Sequence, residues 1–215
     1  DKLTWTEAQA YPAVLNAETF GGYDDWRLPT IKELYSLIDF RGTDPSACAT
    51  EAACPGLVPY IDDSYFDFAY GDVNAGDRII DAQYWSSTPY VGTTMNNAAT
   101  AFGVNFADGR IKGYPLVTPR GESAHFVRYV RGNSNYGKND FADNGDGTVT
   151  DLATNLMWQQ ADSSVGYNWS QALSYAESLD LAGYDDWRLP NAKELQSIVD
   201  YTRAPDVQNA AQAGP

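Results

Sequence analysis

The chain repeats itself. Residues 22–40 read GYDDWRLPTIKELYSLIDF and residues 183–201 read GYDDWRLPNAKELQSIVDY, with 13 identities in 19 positions at an offset of 161. Upstream, Trp5-Thr6-Glu7-Ala8 through Tyr11 corresponds to Trp169-Ser170-Gln171-Ala172 through Tyr175 at an offset of 164, so the copies differ by three residues in the loop between. Chance does not produce such a match. The duplicated piece reads as helix, loop, helix.

Each helix carries its own start signal. Thr4 with Glu7, Thr30 with Glu33, Asn168 with Gln171 and Asn191 with Glu194 all place an N-cap three positions before a side chain able to reach back to it. After Trp169, the residues Ala172, Leu173, Ala176 and Leu179 form a stripe of helical spacing, as do Leu195, Ile198 and Val199 after Pro190. Both stripes call for a core. In the first copy Pro12 is expected to kink or end the helix near Tyr11.

Between the copies the texture changes to strands. Residues 84–87, 101–106, 110–114 and 125–131 read as an antiparallel meander, with Asp108-Gly109 as the turn signal. Residues 133–140, NSNYGKND, read as a linker. Beyond them the Asn-Gly and Asp-Gly pairs of 144–147 separate Phe141 from the strands 148–151 and 156–158. The expected division is a first domain at 1–132, a linker at 133–140 and a second domain at 141–215.

These segments together, DNGDGTVTD with LMW, the Trp-led helix, GYDDWRLP, the KEL helix, YWSS, VNF-x-DG and VRYVRG, resemble the Lcl C-terminal domain family. The resemblance implies an α+β fold, distantly C-type-lectin-like, with two helices and an antiparallel meander. It also implies exported bacterial proteins with adhesion or ligand binding as the role. Measured against the family pattern, the first copy lacks the opening strand pair and the second, a partial copy, lacks the closing strands. Either the sequence is part of a longer chain, or a neighbouring copy or molecule supplies the missing strands. Strand addition at an open sheet edge is the physical route for the second case, and head-to-tail use of it builds filaments.

Charge narrows the partners. Fourteen Lys and Arg against 29 Asp and Glu give −15, which repels phosphate backbones and anionic lipid, and no window reaches the ~18 apolar residues of a membrane span. Neither nucleic acid nor membrane insertion is expected. The two cysteines, Cys48 and Cys54, are close enough for a local disulfide, which places the chain in an oxidising compartment, extracellular or at the cell surface; two free thiols are the alternative. Asn168-Trp169-Ser170 satisfies the glycosylation sequon at a helix cap.

Catalysis finds little support. His125 is the one histidine, so a Ser-His-Asp triad or a histidine-rich metal site is excluded by inventory. The redox-active cysteines of the distantly similar formylglycine-generating enzymes have no match here, and no enzymatic activity is expected. Calcium is the one cofactor with a candidate site: Asp143, Asn144, Asp146 and Asp151 offer hard oxygens in a Gly-rich turn, although an EF-hand is broken at Ala142 and a plain hairpin turn explains the same residues.

Asp24 and Asp25, with Asp185 and Asp186, are expected to hold Arg27 or Arg188 by charge-assisted bonds. Trp26, Trp85, Trp158 and Trp187 are expected in cores. The segment 43–81, present in the first copy alone, carries Tyr60, Tyr65, Phe66, Phe68 and Tyr70 and is the expected ligand or partner surface. Two functions follow as expectations. One is a binding or adhesion module that contacts a glycan or protein on another surface. The other is a structural subunit of an extracellular filament, a homo-oligomer assembled through Val127, Tyr129 and Arg131 of one molecule and Leu156 and Trp158 of the next.

Overall fold

The computed structural model describes residues 2–204. It divides into two compact units: the first is built on residues up to Ser134 and is rejoined at Asp200, and the second is Asn135–Val199. Six residues of the expected linker, 135–140, thus belong to the second unit.

In the first unit a short strand, β1 (Leu3–Thr4), leads straight into α1 (Trp5–Ala10). Thr4 caps that helix with Glu7 reaching back to its amide, completing the expected capping box. Tyr11 ends α1, and Pro12 then opens α2 (Pro12–Ala17). A helix interior rejects proline, whereas the first helical position needs no N–H. A turn through Thr19 and Gly21, both left-handed, carries the chain to the GYDDWRLP loop and α3 (Ile31–Ser36), capped by Thr30 and Glu33.

After the long segment 43–81 comes an antiparallel sheet in the order β2 (Gln83–Pro89), β3 (Thr100–Asn105), β4 (Arg110–Pro115). A small hairpin, β5 (Val117–Thr118) with β6 (Gly121–Glu122), follows, and then β7 (Ala124–His125), which pairs with β1. The expected fourth meander strand at 125–131 does not join the sheet as such. Past β7, Phe126 makes a parallel bridge to Tyr84 at the β2 edge, and Val130 exchanges two backbone bonds of 2.9 Å with Arg27. The hairpin β5–β6 steers the chain away from β4, so the closing segment laces β2 to the loop before α3.

Two apolar clusters fill this unit. Ile31, Leu34 and Ile38 from the α3 region meet Ile61, Tyr84, Val104 and Phe106 on one side of the sheet. Ala8 and Leu28 meet Trp85 and Ala101 on the other, flanked by Trp5, Tyr114, Val127 and Tyr129. Strand alternation sends Tyr84 and Trp85 to opposite faces, so one strand serves both clusters.

The second unit opens with a three-stranded antiparallel sheet of β8 (Phe141–Asp143), β9 (Thr148–Asp151) and β10 (Leu156–Gln159), in the order β10-β9-β8. Two helices follow, α4 (Trp169–Glu177) and α5 (Ala192–Ser197), each with a complete capping box, from Asn168 with Gln171 and from Asn191 with Glu194. The sequon residue Asn168 therefore spends its side-chain oxygen on the amide of Gln171.

Candidate functional site

The arginine of the repeated loop is held by the helix that follows it. Arg27 donates from both terminal nitrogens to Glu33, at 2.6 and 2.5 Å, and Arg188 does the same to Glu194, at 2.7 and 2.5 Å. The same glutamates accept the amides of Thr30 and Asn191 at 2.8 Å. One carboxylate thus caps a helix and clamps a guanidinium. This corrects the expected role of Asp24, Asp25, Asp185 and Asp186: the Glu at the third helical position, already oriented by its cap, is the partner. Burial alone would raise the carboxyl of Glu33, but the Arg27 fork and the cap amide outweigh it and keep it below the ordinary range. Arg188 lowers that of Glu194 to about 2.

Asp25 faces a different arginine. It accepts from Nε of Arg131 at 2.7 Å, and the Arg131 guanidinium lies 3.6 Å from the centre of the Tyr23 ring. Around this pair stands a group of aromatic side chains. Phe20 packs edge-on to Trp26 at 5.8 Å, Tyr11 stacks on Tyr129 at 5.8 Å, and Tyr129 and Arg131 flank the bridged Val130. Tyr11, Phe20 and Tyr23 are exposed, whereas the Tyr129 hydroxyl is turned inward to the carbonyl of Ala8. Sequence reasoning did not find this patch. Its members come from separate stretches of the chain, 11, 20–26 and 129–131, and Phe20 stands where the second copy has Leu181, whose carbonyl accepts the Trp187 indole as that of Phe20 accepts the Trp26 indole.

The segment 43–81 is pinned as expected by a Cys48–Cys54 disulfide. Its rings, however, mostly face inward. Tyr60 sits between Gly42 and Gly109, where an added Cβ would lie 2.5 and 2.4 Å from the ring. Phe66 and Phe68 pack against the first cluster, Arg128 lies over Phe66 at 5.0 Å, and burial pushes the Tyr70 hydroxyl up to about 12. Of the five expected surface rings, Tyr65 alone is exposed, at 83%. An insertion whose only helices among the described residues are two single 3-10 turns, Glu51–Ala53 and Val73–Ala75, has no core of its own, and its rings close the neighbouring one.

The calcium candidates each serve their own hairpin. Asp143 accepts the amide of Gly145, Asp146 accepts the amide and hydroxyl of Thr148, and Asn144 donates to the hydroxyls of Thr148 and Thr150. Asp151 is fully buried and accepts from Asp140, Asn139, Ala153 and Thr154. Among the described residues no group of three or more His, Cys, Asp or Glu side chains is placed to hold a metal ion. The four residues satisfy local donors and hydroxyls in place of converging on a centre.

The segments expected to exchange between molecules are engaged within their own units. Val127 and Tyr129 pack on the second cluster and Arg131 holds Asp25. Leu156 and Trp158 pair with Asp151 and Val149 of β9, leaving β10 at the sheet edge, and the buried indole N–H of Trp158 has no acceptor. His125 is packed between Trp85 and Tyr114, with ring centres 4.3 and 4.7 Å away, and burial first, then the Lys2 charge, lowers it to about 4. It is a neutral core side chain at neutral pH.

Equivalent positions of the repeat have different surroundings. Leu34 is 1% exposed and Leu195 is 49%; Ile38 is 2% exposed and Val199 is 42%. Trp5 is half-buried with its indole donating to the carbonyl of Ser86 in β2, and Trp169 is 74% exposed. In the first unit the sheet β2–β4 covers this face of the helix pair. In the second unit, among the described residues, nothing does.

A mixed α/β chain with few helices and several small antiparallel sheets defines the structural class. The chain belongs to the Lcl C-terminal domain family, which matches it over residues 1–131 and 147–214. No curated protein and no solved structure matches it.

Proposed function

We propose that this chain is a non-catalytic, extracellular or cell-surface binding module of C-type-lectin-like architecture that adheres to glycan-bearing surfaces. The observation that carries this reading is the exposed aromatic patch of Tyr11, Phe20 and Tyr23 beside the Arg131–Asp25 pair. Rings that present a flat apolar face next to a fixed polar fork suit sugar rings, and clustered exposed aromatics on a soluble unit mark recognition sites. The disulfide supports an oxidising location. Because Asp143, Asp146 and Asp151 are occupied by local donors, binding is expected to be independent of calcium. A glycan array probed with and without calcium tests this. The expected result is a defined set of retained glycans, equal in both conditions and lost in a Phe20→Ala, Tyr23→Ala variant that keeps its circular dichroism. An array with no retained glycan overturns the glycan reading.

A second reading, a structural subunit of an extracellular assembly, is favoured by the uncovered face of Trp169, Leu195 and Val199. Soluble monomers lacking any partner at this face would argue against it, and Leu195→Asp with Val199→Asp is the variant that removes it.

A further inference from the structure

We propose that the β5–β6 hairpin is a processing site, where a serine protease of the trypsin class cuts the native chain between Arg120 and Gly121 and leaves the two pieces folded together. Arginine followed by glycine occurs three times, at 41–42, 120–121 and 131–132. Proteases of this class take an arginine into a pocket floored by a carboxylate, so they need a guanidinium free to leave its own surroundings and an unhindered residue just beyond the cut. The tertiary structure separates the three dipeptides.

Arg41 folds back on Asp39, whose two oxygens accept its Nε at 3.0 and 2.9 Å while a terminal nitrogen donates to the same carboxylate. An added Cβ at Gly42 would lie 2.5 Å from the Tyr60 ring, so the bond between them is walled in. Arg131 gives its Nε to Asp25 at 2.7 Å and lies 3.6 Å from the centre of the Tyr23 ring. It also follows Val130 directly, whose backbone is bonded both ways to Arg27. Each remaining arginine is paired with a carboxylate, apart from Arg128, which lies over the rings of Phe66 and Tyr84. Among the described residues Arg120 is the one arginine whose guanidinium meets no acid, carbonyl or ring.

The backbone around Arg120 is equally accessible. Pro119 and Arg120 form the tip of a hairpin with two residue pairs, Val117 with Glu122 and Thr118 with Gly121, and no further strand joins that sheet. Residues 119–122 are all exposed, and an added Cβ at Gly121 would meet nothing within 4 Å. The Thr118 hydroxyl ties the tip, donating to the Gly121 carbonyl at 3.1 Å and accepting the Arg120 amide at 3.2 Å. A hairpin of this size is marginal by itself. A protease holds its substrate as an extended strand, so the tip must open. Opening 117–122 breaks a few exposed bonds and uncovers no member of either apolar cluster.

The reaction is a hydrolysis. The protease serine attacks the Arg120 carbonyl carbon, the bond to the Gly121 nitrogen breaks as a proton passes to that nitrogen, and water then releases Arg120 as a carboxylate. The pieces stay together because the closing segment is held without the hairpin. β7 still pairs with β1, and Phe126 exchanges backbone bonds of 3.0 and 2.9 Å with Trp85 and Gln83. Val127 and Tyr129 remain in the second cluster. The aromatic patch, with Tyr11 and Tyr23 before the cut and Tyr129 and Arg131 after it, therefore spans both pieces.

The test treats the full native chain with a small amount of trypsin and reads the new N-termini by mass spectrometry over time. The Gly121 end should appear at least about tenfold faster than the Gly42 or Gly132 end. Its rate should stay level in urea below the unfolding transition, because a local opening exposes little surface. The cut chain should elute as one species from a sizing column and separate, in denaturant, into 1–120 and the remainder from Gly121. An Arg120→Gln variant, altered at an exposed tip, should lose the Gly121 end and keep its circular dichroism. Three results would each overturn the proposal. They are Gly42 or Gly132 ends that form as fast as Gly121, a Gly121 end that forms only in urea that unfolds the first unit, and pieces that part in native buffer.

Discussion

Leu34 and Leu195 stand at the same place in the repeat, at the same place on a capped helix, beside the same Arg–Glu fork. Truncation to alanine separates local from tertiary contributions at this position. Leu34→Ala opens a cavity in a fully packed site and should destabilise the first unit by about 2–5 kcal/mol. Leu195→Ala removes a half-exposed side chain and should cost no more than about 0.5 kcal/mol. Chemical denaturation of the two variants reads the difference directly, and equal costs would mean that the second face is covered.

His125 makes the stability of the first unit depend on pH. Burial lowers its folded value to about 4, against about 6.5 in the unfolded chain. As pH falls from about 6.5 to 4 the unfolded chain takes up a proton that the folded chain refuses, so stability is lost in that window, by about 3 kcal/mol at most. A His125→Phe variant should flatten the first unit's Tm against pH between 6.5 and 4. Below it the carboxylates act: Glu194, at about 2 when folded, contributes stability above about pH 4.5 that is lost as pH falls toward 2.

At the scale of elements, caps and turn residues were legible because their causes are local. All four expected capping boxes form, at Thr4, Thr30, Asn168 and Asn191, since a side chain and an amide three residues apart need no distant partner. Partner choice was not legible where two acids competed for one arginine. Glu33 won over Asp24 and Asp25 because its cap had already aimed it. The inward turn of Tyr60, Phe66, Phe68 and Tyr70 was equally hidden, since it depends on a core built by α3 and the sheet. The insertion that carries these rings also holds the short disulfide loop 48–54, and chain entropy assigns a loop of that size about 2 kcal/mol. A Cys48→Ser, Cys54→Ser variant should therefore lower the first unit's Tm by several degrees, as read by calorimetry, while the second unit's transition stays in place.

For the whole molecule, two units with unequal cores should not melt as one. The first has two clusters centred on Tyr84 and Trp85; the second leaves Trp169, Leu195 and Val199 in water. Scanning calorimetry should show two transitions, with the lower assigned to residues 135–199 by the response of Trp169 emission. A single cooperative transition would contradict this.

The duplication, the four helix starts, the loop disulfide as one of two readings, and the family are written in the order of residues, because each depends on neighbours along the chain or on whole-pattern identity. Which rings are inside, which arginine meets which acid, and that one copy's helix face is covered while the other's, among the described residues, lies open, emerge from packing across distant segments. Burial is a property of what arrives from elsewhere in the chain or from another chain, and two nearly identical stretches carry no mark of that in their own residues.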